Sequence, residues 1–149
     1  IDGLKQTDLW ENPLIVCIPD HGFCYPQGTT DRGGEFSHIP MLWLGGAIKE
    51  PMKIDKIMNQ TDMAATLLGQ LGLDYSMFPF SRNVLSDSYV YPFAFYTSSS
   101  VFAFRDSTGV TAYDLKGERI SWEEPSASED RLNRGKAILQ SAYDELGKR

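Results

Sequence analysis

No run of about 18 consecutive apolar residues occurs in this 149-residue chain, so no segment reads as a membrane-spanning helix. Basic clusters are equally scarce. Lys148-Arg149 is the one basic run, and the formal net charge is −6. Phosphate contacts require clustered Lys and Arg, so a nucleic-acid binder is excluded. Cysteine is limited to Cys17 and Cys24, which lack the further Cys or His partners of a structural zinc site. A disulfide between them is open in an oxidising compartment. Two free thiols, with Cys17 in the core, is the reading favoured. There is no G-x-S-x-G elbow, P-loop or dinucleotide fingerprint. The run Ser98-Ser99-Ser100 has no nearby base, and no Ser or Thr is marked as a nucleophile by its context. Internal repeats and low-complexity tracts are absent. The chain also lacks an initiating Met and a signal peptide. It starts at Ile1, inside what reads as a helix end, which suggests a piece of a longer protein and leaves the compartment open.

What is present suits a globular domain. Composition is 42% hydrophobic and 23% charged, and eight Phe, seven Tyr and three Trp are enough for a core. Residues 14–19 are a continuous apolar, β-branched run, as expected for a strand covered on both faces. Pro19 lacks a ladder donor and suits that strand's end. A Gly-, Thr- and Asp-rich loop follows at 28–34, of a kind that is often functional. Residues 39–44 form a second apolar strand, neighbouring the first and stopped by Gly45-Gly46. The spacing of Ala64, Leu67, Leu68 and Leu71 predicts a helix over 61–71, with Asn59 or Thr61 as its cap and Gly72 at its left-handed end. Residues 91–96, 101–105 and 110–115 read as strands, with a turn at 107–109 between the last two. Ser126-x-x-Glu129 reads as a capping box for a helix over 126–147, whose face is Leu132, Leu139, Ala142, Tyr143 and Leu146. Arg131, Arg134 and Lys136 fall on its other, solvated faces. The order predicts an α/β or α+β domain with at least two core strands, residues 1–125 forming the sheet and helix core and the first strand reading as the most buried one.

The chemistry-bearing candidates gather near the first strand. Asp20-His21-Gly22 closes it, and ligands of open α/β sheets bind at carboxyl ends of strands. In extended backbone Asp20 and His21 point to opposite faces. They reach one metal only if the chain turns at once, which Gly22 allows. A polar turn with Asp20 capping backbone groups is the competing reading. His38 precedes the second strand, and a place at a strand's start counts against its joining Asp20. Glu35, in the same loop, is placed to pair with His38 or Arg32. Asp62 opens a helix, where a carboxylate is favoured by the dipole and needs no catalytic role.

Four ordered segments resemble the second half of the sulfatase/alkaline phosphatase superfamily. Asn12-Pro13-Leu14-Ile15-Val16-Cys17-Ile18-Pro19-Asp20-His21-Gly22 is similar to the family's strand ending in Asp-His-Gly. Glu35-Phe36-Ser37-His38-Ile39-Pro40-Met41-Leu42-Trp43 resembles its next strand. Gln60-Thr61-Asp62-Met63-Ala64-Ala65-Thr66-Leu67-Leu68 resembles its Q-x-D-x-x-P-T-L-L helix. Residues 80–85 and the paired strands within 102–115 follow in family order. Within the superfamily the chain most resembles lipoteichoic acid synthase-like phosphoglycerol transferases, with phosphoethanolamine transferases next. It departs at Phe23, where the latter usually have Glu, at Ala65 in place of Pro, and in having no Lys between His21 and His38, where true sulfatases commonly place one.

The resemblance implies the C-terminal portion of a mixed-sheet α/β domain with flanking helices and a terminal β-hairpin. It implies Asp20 and His21 as two ligands of a divalent metal (Mn, Zn, Mg or Ca), with His38 as a substrate-binding candidate. The nucleophile and the other metal carboxylate are expected upstream of Ile1, so residues 1–149 alone are expected to be inactive. The activity implied is phospho- or sulfo-ester transfer or hydrolysis through a covalent intermediate, the metal activating the nucleophile. The substrate implied is a lipid headgroup or a phosphorylated or sulfated glycan. The compartment implied is extracytoplasmic (periplasmic or the outer face of the inner membrane), with a membrane anchor in the missing N-terminal part. The alternative is a non-catalytic protein of the same fold that binds lipid headgroups or glycans.

Overall fold

A computed structural model describes residues 1–22 and 37–148. The 28–34 loop, Phe23, Cys24 and Glu35 lie outside the described residues. Two units divide the chain, Ile1–Asp55 and Lys56–Arg149.

In the first unit, helix α1 (Asp2–Lys5) and a 3-10 turn (Asp8–Glu11) lead into strand β1 (Ile15–Cys17), which pairs antiparallel with β2 (Leu42–Leu44). The pairs are Ile15↔Leu44, Val16↔Trp43 and Cys17↔Leu42. Both strands are shorter than their apolar runs, and proline explains why. Continued by two residues, the register sets Pro19 opposite Pro40, and neither can donate a ladder bond. At the other end Gly45 and Gly46 fold back on the chain leading to β1. Gly46 N–H donates to Trp10 O at 3.0 Å. A Cβ on Gly45 would lie 2.1 Å from Pro13 O, and one on Gly46 2.0 Å from Trp10 O, so the crossing admits only glycine.

Coverage of β1 on both faces is not found among the described residues of this unit. Ile15 and Val16 are half-buried and Cys17 is exposed. Cys17 is a free thiol at the surface, not a core residue. A two-stranded ribbon has no second layer of its own to cover it, so its apolar side chains are only partly removed from water.

The second unit holds helix α2 (Asp62–Gln70), a four-stranded meander β3 (Phe93–Ser98), β4 (Val101–Asp106), β5 (Gly109–Asp114) and β6 (Arg119–Glu124), and helix α3 (Glu129–Leu146). The strand order is β3-β4-β5-β6, all antiparallel. One face carries Phe102, Phe104 and Thr111, all buried, and packs on α3. The other centres on Ala103, Val110 and Ala112, with Tyr96, Val101 and Trp122 against them. Among the described residues no helix is long and apolar enough to cross a membrane.

Three expectations about the helices change. In α2 the buried stripe is Asp62, Ala65 and Thr66, not the leucines, and Leu71 is exposed. Residues 81–84 lie along that stripe and satisfy it. Ala65 N–H donates to Ser81 Oγ at 2.8 Å, and Val84 N–H donates to Thr66 Oγ1 at 3.1 Å. The cap of α3 is Ser128, which accepts from Arg131 N–H at 3.2 Å, so the helix opens two residues later than a Ser126 cap requires. The buried face of α3 is set by Arg131 and Gly135, whereas Tyr143 and Leu146 are exposed. Gly72, with φ +66°, ends α2 in the left-handed conformation expected.

Candidate metal centre

The turn after β1 brings Asp20 and His21 together. The chain bends at both residues. Asp20 Oδ1 accepts the His21 N–H at 3.0 Å, which holds the carboxylate on its neighbour's side. His21 Nε2 then lies 3.7 Å from Asp20 Oδ1. Both side chains are open to solvent, at 89% for Asp20 and 71% for His21.

A third group orients the ring. His21 Nδ1 is 2.7 Å from Gly22 O. A carbonyl oxygen only accepts, so Nδ1 is the donor and Nε2 is the ring nitrogen left for another partner. That is the arrangement of metal-bound histidines, whose second nitrogen donates to a carbonyl or carboxylate. Donors each about 2.1 Å from one tetrahedral metal lie about 3.4 Å apart, near the separation found here. The Asp20–His21 pair therefore fits two positions of one divalent cation. Asp20 also does what the competing reading asked of it, since it caps a backbone N–H.

The site is incomplete within the described residues. No group of three or more His, Cys, Asp or Glu converges among them, while a catalytic zinc site uses three protein ligands. His38 is exposed, and no hydrogen bond or ion pair among the described residues joins it to Asp20 or His21. Its position at the start of β2 does not count against it, however. Because β1 and β2 run antiparallel, the start of β2 lies beside the end of β1.

Asp62, in the second unit, is a structural carboxylate. It is fully buried, and it accepts from Asn59 N–H at 2.8 Å and from Arg82 N–H and Nε at 2.9 and 3.0 Å. The guanidinium of Arg82 stacks 3.6 Å above the Phe93 ring. Arg131, expected in solvent, is buried, with Thr111 Oγ1 at 3.0 Å and Thr108 Oγ1 at 2.9 Å as acceptors. Sequence reasoning assigned Arg82 nothing and missed the role of the Gly22 carbonyl.

No protein-family model matches the chain, and no curated protein matches it. Its backbone is similar to the crystal structure of a protein in the alkaline phosphatase superfamily from Vibrio parahaemolyticus, with a TM-score of 0.71 and 22% sequence identity over 97% of this chain. The chain shares its fold with part of that protein. It spans 38% of that protein's length. The two antiparallel sheets with flanking helices thus match part of that protein's fold, as the mixed α/β reading anticipated.

Proposed function

We propose that the chain is part of a metal-dependent extracytoplasmic enzyme that transfers or hydrolyses phosphate or sulfate esters. Its nearest likeness in kind is to lipoteichoic acid synthase-like phosphoglycerol transferases, with a lipid headgroup or a phosphorylated or sulfated glycan as substrate. One observation carries the reading: Asp20 and His21 converge at a strand end, with His21 Nδ1 tied to Gly22 O and Nε2 left free. On this reading Asp20 and His21 Nε2 hold a divalent cation, and the Gly22 carbonyl keeps the ring in its binding tautomer. The cation supplies charge neutralisation to the group transferred and activation to the nucleophile. The nucleophile, a further metal carboxylate and the membrane anchor belong to the part of such a fold that this chain does not span.

The test uses a chain extended toward its N-terminus to the length of the whole fold. Hydrolysis of an aryl phosphodiester is followed with added Mn²⁺ for the parent, Asp20→Ala and His21→Ala. The expected result is turnover by the parent and loss of metal and rate in both variants. Equal inactivity of all three, folded and metal-loaded, would favour a binding protein of the same fold.

A further inference from the structure

The four-stranded sheet has two outer strands, β3 and β6, and they are defended differently. An outer strand offers unpaired N–H and C=O groups to any further strand, and charge, proline or a bulge ordinarily deters that pairing. Strand β6 carries Arg119, Glu123 and Glu124, and its pairing with β5 breaks register between Ala112 and Tyr113. Strand β3, Phe93-Ala94-Phe95-Tyr96-Thr97-Ser98, has no charge and no proline, and it makes six consecutive pairs with β4. Uncharged, aromatic, unbroken segments of this kind are the ones that recruit further strands.

Among the described residues, side chains cover the outer edge of β3. Asn59 Nδ2 donates to Phe95 O at 2.6 Å, and Phe95 N–H donates to Asn59 Oδ1 at 2.9 Å. An antiparallel strand makes this same exchange of two bonds at a hydrogen-bonded pair, so the carboxamide copies one rung of a fifth strand. Outward groups recur at every second residue, which places those of Phe93 and Thr97 on either side. Phe93 O accepts from Arg82 Nη2 at 2.9 Å. The same guanidinium bonds Asp62, whose carboxylate accepts the Asn59 N–H at 2.8 Å. The chain just before Asn59 is pinned as well: Tyr89 Oη donates to Ile57 O at 2.7 Å, and Lys56 Nζ donates to Val84 O at 2.8 Å. Thr97 is exposed, and no described side chain caps its outward groups.

We infer that the Asn59 carboxamide is a plug that keeps the β3 edge from accepting a strand, and that the strand it excludes is β3 of a second copy of this chain. The edge is self-complementary about Phe95. With a two-fold axis at that residue, Phe95 of one copy faces Phe95 of the other and Phe93 faces Thr97, so each outward N–H meets an outward C=O. Asn59 occupies the central rung of that pairing. Plugged monomer and paired dimer exclude each other, because both claim the same N–H and C=O of Phe95.

Sedimentation equilibrium of the 149-residue chain, over a range of concentrations, compares the parent with Asn59→Ala and with Asn59→Ala/Thr97→Pro. Proline at position 97 removes only an outward N–H, which an edge strand tolerates. A plug at Asn59 predicts that Asn59→Ala dimerises at least about tenfold more tightly than the parent, and that adding Thr97→Pro abolishes the gain. Folded Asn59→Ala with the parent's association overturns the plug. A gain that survives Thr97→Pro puts the contact elsewhere and overturns β3 as the partner strand. Should Asn59→Ala fail to fold by far-UV circular dichroism, Asn59→Ser, too short to bond both groups of Phe95, is held to the same expectations. Amide hydrogen exchange in the parent adds a reading that needs no variant: the Phe95 N–H is protected, and the Thr97 N–H exchanges freely. Equal exchange at the two amides overturns the plug.

Discussion

A carboxylate in the first turn of a helix ordinarily faces water and gains a few tenths of a kcal/mol from the dipole. Asp62 is in that position yet fully buried, and its cost of burial is met by Arg82 and by two backbone N–H groups. Removing Arg82 leaves that carboxylate buried without its counter-charge. Arg82→Met should therefore destabilise the protein by about 3 kcal/mol, measured by urea denaturation. A loss below about 1 kcal/mol would mean that the backbone donors alone suffice. Tyr91 gives a pH-dependent counterpart. Burial, followed by its hydrogen bond to Asp106 at 2.5 Å, pushes its phenol up to about 12, and burial also pushes Tyr89 up to about 12. A raised folded value means that the native state holds its proton longer than the unfolded chain, which releases it near pH 10. The stabilisation is complete below pH 10 and lost as pH rises toward 12. Tyr91→Phe should fall in stability less steeply than the parent between those two values, in urea titrations at stepped pH; an unchanged slope would sink the assignment. None of these partnerships could be read from the chain. Arg82 lies 20 residues from Asp62, and Tyr91 lies 15 from Asp106. The closeness of Asp20 and His21 was legible, because adjacency leaves only the direction of the turn to be settled.

Elements were readable where local pattern and tertiary burial agree. Strands β3, β4 and β5, and the turn between the last two, alternate apolar and polar residues or run apolar, and they form as expected. Strand β6 did not announce itself. A register irregularity lies between Ala112 and Tyr113, which pair with Trp122 and Ile120. Ser121 is thus the extra residue, and Ile120 and Trp122 go to opposite faces despite being two apart. The period-two signal is cancelled by the bulge. Helix α3 failed differently. Its apolar stripe at Ala142, Tyr143 and Leu146 has no partner within the unit, while its packing face is made by Arg131 and Gly135. An arginine and a glycine do not read as a buried face, but a flat spot is what lets the helix approach Phe102. A Cβ on Gly135 would fall 2.4 Å from Phe102 Cε2. Alanine gains about 1 kcal/mol of helix propensity over glycine. Overpacking against a buried ring costs about 1–3 kcal/mol, and Phe102 is itself held between Phe95 and Tyr113. Gly135→Ala should therefore lower the melting temperature instead of raising it, and a rise would show that α3 can shift off the sheet.

At the scale of the whole molecule, the ribbon that carries the candidate site is the least complete part of the described fold. The chain spans 38% of the related structure's length. Among the described residues of its unit, β1 has a partner on one edge only, and Leu42 of β2 is 57% exposed. The apolar run of residues 14–19 was legible as a strand for a covered sheet. What covers such a strand is not encoded in the strand itself, so the extent of its burial was not legible. The same incompleteness limits the chemistry. Asp20 and His21 are two donors, both solvent-open, against the three protein ligands and one activated nucleophile that a catalytic metal site needs. A cation held by two exposed donors keeps most of its water and polarises a bound ester weakly. Aryl phosphodiester hydrolysis by residues 1–149 with Mn²⁺ should therefore not exceed that of Mn²⁺ in buffer, and Asp20→Ala should leave the rate unchanged. Initial-rate assays over a range of Mn²⁺ concentrations decide it. Turnover above the buffer rate that disappears in Asp20→Ala would mean that residues 1–149 complete a working metal site, with either metal-activated water or a side chain of the chain as the nucleophile.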